Sequence, residues 1–160
     1  MYDLENLLAR LTEHKVRFVL VGGFAAVAHG STLMTHDVDV CCEMSFENLS
    51  TLQMSLDDLH PVHRMTPMRL PLEITPAFCK GLKNLYLSTD IGQLDCLGEI
   101  AGIGTYLHVL EGSEEIQLPF GTCRVLTLDS LIAAKTAMNR PRDREVLLQL
   151  QAIRGCMTEN

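Results

Sequence analysis

With 160 residues, 47% of them apolar and 21% charged, the chain has the make-up of an ordinary globular protein, long enough to bury a core without disulfide or metal staples. Its formal charge of -7 argues against a general basic surface for nucleic acid, and it has no apolar run of bilayer-spanning length, so no membrane partner is expected. The opening Met-Tyr-Asp-Leu-Glu is acidic where a signal peptide would be basic, which gives the expectation of a cytoplasmic protein.

The first predicted element is a helix over 3–14, with Leu4, Leu7, Leu8 and Leu11 on one face. Phe18 to Val21 is short, apolar and stops at a glycine pair, which reads as a buried strand running into a turn. Gly22 and Gly23 then open a short, Ala-rich helix that Gly30 is able to end. In the next strand, 37–42, Asp37, Asp39 and Cys41 alternate with Val38, Val40 and Cys42, so both carboxylates share a face, about 7 Å apart along the strand. Two like charges that close need a positive partner. Magnesium is the usual candidate, since it takes carboxylate oxygens together with substrate phosphates.

Gly22-Gly23, thirteen intervening residues and then Asp37-Val38-Asp39-Val40 resemble the signature of the DNA polymerase β-like nucleotidyltransferase superfamily. His29-Gly30 followed by Thr35-His36-Asp37 is similar to its small bacterial members. The resemblance implies transfer of a nucleoside monophosphate from a nucleoside triphosphate (NTP) to an acceptor.

Further along, Ser45 is an N-cap for a helix that carries Phe46, Leu49, Leu52, Leu56 and Leu59 at helical spacing. The stretch 60–76 holds Pro61, Pro67, Pro71 and Pro76, which exclude a continuous helix and leave room for a short edge strand within 68–74. It reads either as an irregular surface crossing or as a segment that grips the acceptor. Pro61 within His60-x-x-His63, and the lack of nearby acids, weigh against a metal site there. A helical turn follows from Pro76 to Lys80, then a hairpin of strands 82–87 and 93–97. Asp95 in its second strand is expensive inside so apolar a run unless paired or liganded. The resemblance makes it the third acid of a metal site.

A short helix over 106–110 and a hairpin of 116–118 with 123–126 complete the sheet-containing part. Cys41, Cys42 and Cys96 fall in strands and read as buried thiols rather than a disulfide framework. Thr127 or Asp129 caps a helix to about Asn139, in which Leu128, Leu131, Ile132 and Lys135 fall at i, i+3, i+4 and i+7. Pro141 starts the last helix at its preferred first position.

Leu131-Ile132-Ala133-Ala134-Lys135 followed by Arg140-Pro141-Arg142-Asp143 resembles the tail of small nucleotidyltransferases, including those related to abortive-infection toxins. That likeness implies that Lys135 meets the triphosphate and that Arg142 and Asp143 hold the helix pair against the site.

The expected fold is α+β: a nucleotidyltransferase-like mixed sheet flanked by helices, with a C-terminal helix pair. It is read as one domain over 1–160, with the sheet-containing core at 1–126 and the helical pair at 127–156. Within the resemblance, Asp37, Asp39 and Asp95 bind two magnesium ions and do the catalysis, with the NTP as donor. Gly22 and Gly23 let the phosphates approach bare backbone, and Ser31 or Thr32 adds a hydroxyl. The acceptor is left open between a small molecule, a protein side chain and a transfer RNA end in a toxin and antitoxin pair. A homodimer or a partner protein is compatible with so short a chain. Relatives often carry a basic residue where this chain has Leu33 and Met34, so the alternative is a catalytically degenerate fold that binds a nucleotide or a protein.

Overall fold

The computed structural model describes residues 2–158. Helix α1, Leu4–Glu13, is capped by Asp3, whose side chain accepts from the Asn6 N–H, and it buries Leu7, Leu8 and Leu11 completely. Strand β1, Phe18–Val21, is buried at every position and runs straight into α2, Gly22–Ala28. Strand β2, Asp37–Cys42, returns antiparallel to β1. Helix α3, Phe46–Leu56, starts on the Ser45 cap and buries Leu49, Leu52 and Leu56. Asn48 is 2% exposed and spans Arg17 and Glu43, accepting from the Arg17 N–H and donating to the carbonyls of both residues.

The 60–76 segment contains one short strand, β3, Val62–His63, and a single bridge from Val62 to Pro71. The regular pairing therefore falls at the start of the segment, not within 68–74, because Pro67 and Pro71 cannot donate to a ladder. After α4, Pro76–Cys79, the hairpin of β4, Asn84–Thr89, and β5, Gly92–Leu97, is tighter than its sequence suggests, turning on Asp90 and Ile91 alone. Strands β6, Glu99–Ile100, and β7, Gly104–Thr105, make a separate small ladder before α5, Tyr106–Glu111. Strands β8, Ser113–Leu118, and β9, Gly121–Leu126, form a longer hairpin than expected, closed on Pro119 and Phe120.

Helix α6, Leu128–Met138, takes Thr127 as its cap. Pro141 opens a 3-10 turn, 141–143, and α7, Arg144–Thr158, follows it. The expected start of the last helix is thus displaced by three residues, to a point where the Asp143 carboxylate can turn back onto α6.

Among the described residues seven strands form one mixed sheet in the order β3-β4-β5-β2-β1-β9-β8. The β2–β5 and β1–β9 pairs are parallel and the rest antiparallel. Seven α-helices among the described residues flank it, so the fold is α+β with a C-terminal helix pair. The core joins Leu7, Leu8 and Leu11 with Val19, Leu20, Val38, Val40, Leu94 and Val125 of the central strands. Each such side chain contributes roughly 1.5–3 kcal/mol on burial, enough to fix the register of β2 against its neighbours. Cys41, Cys42, Cys96 and Cys123 are buried, unbridged thiols. Among the described residues no helix is long and apolar enough to cross a membrane.

Candidate active site

Because Val38 and Val40 are fully buried, Asp37 and Asp39 must face the other side of the sheet. The parallel register sets Asp39 directly beside Asp95 of β5, and side chains paired in this way share a face. Asp37, Asp39 and Asp95 consequently offer carboxylate oxygens that all lie within 4.8 Å of one another, the one such cluster of acids, histidines and cysteines among the described residues. His60 and His63 lie apart from it: the His60 ring bonds to Asp90 at 2.7 Å and the His63 ring packs against Phe78.

Gly22 seats the second acid. Its φ of +71° is left-handed, and a Cβ built there would lie 2.9 Å from the Asp39 Cβ. Only glycine meets both conditions. Gly23 is packed against Thr35, whose hydroxyl would come within 3.0 Å of an added Cβ and which donates to the Asp37 carbonyl. The glycine pair thus fixes both ends of the Asp37–Asp39 segment. Helix α2 has no side-chain cap, so the first-turn N–H groups beside the acids are not taken by one.

The acids strain against one another. Burial first, and then the charges of Asp37 and Asp95, push the Asp39 carboxyl up to about 7, against a smaller pull from Lys135. Burial also raises Asp95, opposed by its bond from Arg64. Three convergent carboxylates, with Asp39 pushed up by burial and by its acidic neighbours, offer the hard oxygen donors and the concentrated negative charge that suit a divalent cation.

Lys135 of α6 is 5% exposed, and its Nζ lies 3.5 Å from Asp143 Oδ1. The Arg140 Nε donates to Asp143 Oδ2 at 2.5 Å, so Arg140, not Arg142, is the arginine paired with this aspartate. Burial pulls the Asp143 carboxyl upward, but the Arg140 bond and the Lys135 charge outweigh it and hold it below the usual range. An acid held low stabilises the fold above its unfolded value of 3.8 and loses that contribution as pH falls through its folded value. Asp143→Asn is therefore expected to cost about 3 kcal/mol at pH 7, where it strands buried Lys135, and progressively less at a pH well below 3.8. Urea unfolding at the two pH values measures the difference.

Ser31 is buried, and its hydroxyl donates to Gln149 Oε1 of α7 at 2.8 Å. Gln149 also accepts from the Thr32 N–H and donates to the Thr32 hydroxyl, so it ties the loop before β2 to the last helix. The His29 ring bonds to the Leu126 carbonyl through Nε2 at 2.6 Å and closes α2 onto β9. Two polar contacts of the acid cluster and its surroundings, those of Arg64 and Gln149, carry no local sequence signal. A cleft of about 760 Å³ lies elsewhere, at the far ends of β2 and β5 around Cys42, Lys83, Gly98 and Tyr106.

The mixed sheet flanked by helices, with its C-terminal helix pair, is a nucleotidyltransferase-like fold. Solved structures share it. The lincosamide antibiotic adenylyltransferase LnuA with lincomycin bound superimposes with a TM-score of 0.62 at 14% identity, over 95% of this chain and 98% of that one. ANT(2")-Ia in complex with adenylyl-2"-tobramycin gives 0.55 at 14% identity, over 97% and 94%. A candidate nucleotidyltransferase from Thermotoga maritima gives 0.52 at 14% identity, over 98% and 91%. No protein-family model and no curated protein sequence matches the chain.

Proposed function

We propose that this chain is a magnesium-dependent nucleotidyltransferase that moves a nucleoside monophosphate from an NTP onto an acceptor hydroxyl. The observation that carries the reading is the convergence of Asp37, Asp39 and Asp95 within 4.8 Å. Asp37 and Asp39 hold the divalent cation, and their hard oxygens favour magnesium. When bound, it neutralises the triphosphate and polarises the phosphorus under attack. The ion count, one or two, turns on Asp95. Asp95 takes the proton of the attacking hydroxyl, whose oxygen bonds to the α-phosphorus as pyrophosphate leaves.

Gly22 and Gly23 bring bare backbone to the phosphates, and Lys135, oriented by Asp143, adds positive charge beside them. Ser31 acts at one remove, through the Gln149 contact that steadies the loop. The helix pair over 127–156 belongs to the same catalytic unit.

For the acceptor, the fold neighbours with lincomycin and with adenylyl-tobramycin favour a hydroxyl-bearing small molecule, and the net charge of -7 favours a cationic one. A protein side chain or a transfer RNA end, the acceptors that fit a toxin-like tail, are the other arms of the test. The test incubates the chain with magnesium and each α-labelled NTP against panels of lincosamides, aminoglycosides, transfer RNA and protein. A labelled small-molecule adduct that disappears in Asp39→Asn is expected. Label found only on RNA or protein would reassign the acceptor, and binding of an NTP with no adduct on any panel would favour the second reading. That reading, a degenerate site that binds nucleotide without turnover, is supported by Leu33 and by Met34, 87% exposed, which leave this loop without the basic residue that the family resemblance implies.

A further inference from the structure

Arg64 follows β3 and belongs to the proline-rich crossing. Its backbone N–H donates to the Tyr86 carbonyl at 3.0 Å, which extends the β3–β4 ladder by one residue and sets Arg64 against Tyr86. Tyr86 is paired with Asp95, and Asp95 with Asp39. Arg64, Tyr86, Asp95 and Asp39 thus form one row across four strands. The guanidinium lies 5.5 Å from the centroid of the Tyr86 ring, and its Nη2 donates to Asp95 Oδ1. The two partners are 18% and 11% exposed.

This placement is costly. The Arg64 Nε is buried without a hydrogen-bond partner, so the guanidinium gives up one of its donors in order to reach the carboxylate. Burying an ion pair adds little stability over an apolar pair of the same volume. The gain lies elsewhere: Arg64 supplies a fixed positive charge to one of the three clustered carboxylates. Asp95 Oδ1 accepts from Arg64, and the carboxylate offers an oxygen within 4.8 Å of oxygens of Asp37 and Asp39. A cation that takes Asp95 Oδ1 must therefore displace the guanidinium.

We propose that Arg64 is a resident cation on Asp95 that competes with the second of two divalent ions, so that the Asp37–Asp39 side loads first and the Asp95 side loads only when Arg64 moves off. The inference rests on the nucleotidyltransferase reading. It makes Arg64 a positioning residue: it holds Asp95 in place while the nucleotide and first ion bind, and delays completion of the site. It also couples the crossing that carries Met65, Met68 and Leu70, each more than half exposed, to occupancy of the acids.

The test counts bound Mn²⁺ by electron paramagnetic resonance on the full chain with a non-hydrolysable NTP analogue. The unaltered chain should bind one ion tightly and a second weakly. In Arg64→Gln the second ion should tighten by about 10- to 100-fold, while Arg64→Lys, which keeps the charge, stays near the unaltered chain. A second readout needs no variant to fold: in a magnesium titration of the unaltered chain with the analogue, the Arg64 Nε–H nuclear magnetic resonance signal should hold through the first ion and shift with the second. Equal loading of two ions in the unaltered and Arg64→Gln chains, or an Arg64 signal that never moves, overturns the inference and leaves the nucleotidyltransferase reading standing. No bound ion in either chain overturns both.

Discussion

Asp95→Asn is expected to bind NTP within a few-fold of the unaltered chain yet to transfer nucleotide about 10²- to 10⁴-fold more slowly. The amide has nearly the size of the carboxylate but takes no proton from the attacking hydroxyl. Asp37 and Asp39, the cation ligands of the proposed reading, are untouched by the change. The substitution also leaves the Arg64 guanidinium facing an amide, so some stability is lost, and thermal unfolding must be followed in parallel. A purely structural Asp95 would lower activity only as far as it lowers the folded fraction. A rate loss of that small size in a folded protein would remove Asp95 from the chemistry.

Gly22→Val should have an equally large effect for a different reason. A side chain at φ +71° costs about 1–2 kcal/mol before any contact is considered. Its Cβ would then meet Asp39, and overpacking of that kind adds about 1–3 kcal/mol. The protein can relieve the clash only by moving the Asp39 carboxylate, which holds the cation in the proposed reading. The expected result is a lower unfolding midpoint together with loss of magnesium-dependent nucleotide binding in the fraction that still folds. Gly155→Val is the control, since nothing lies within 4 Å of an added Cβ there. Normal nucleotide binding by a folded Gly22→Val chain would show that Asp39 does not depend on this seat.

Period-two alternation made β2 legible in the sequence, because Val38 and Val40 can be buried only if Asp37 and Asp39 are not. The same logic reached Asp95, an acid in an apolar strand, whereas its pairing with Asp39 depends on parallel register that no local pattern encodes. The cap at Ser45 was readable because a hydroxyl before an apolar periodic run has one common use, whereas for α6 the sequence left Thr127 and Asp129 open and the structure takes Thr127. The misses are long-range or short. Ser31 turns to Gln149, more than a hundred residues away, so its hydroxyl does not follow from the loop in which it sits. Arg64 reaches Asp95 over Tyr86 by way of a two-residue strand hidden in a proline-rich stretch. Arg140 and Arg142 flank the same proline, and only the 3-10 turn decides which of them meets Asp143.

The most direct measurement is calorimetric binding of each NTP in the presence and absence of magnesium, comparing the unaltered chain with Asp37→Ala/Asp39→Ala. The account predicts binding that requires magnesium and disappears in the double variant while the variant remains folded. Binding that persists in the folded double variant, or no binding of any triphosphate to the unaltered chain, would contradict it.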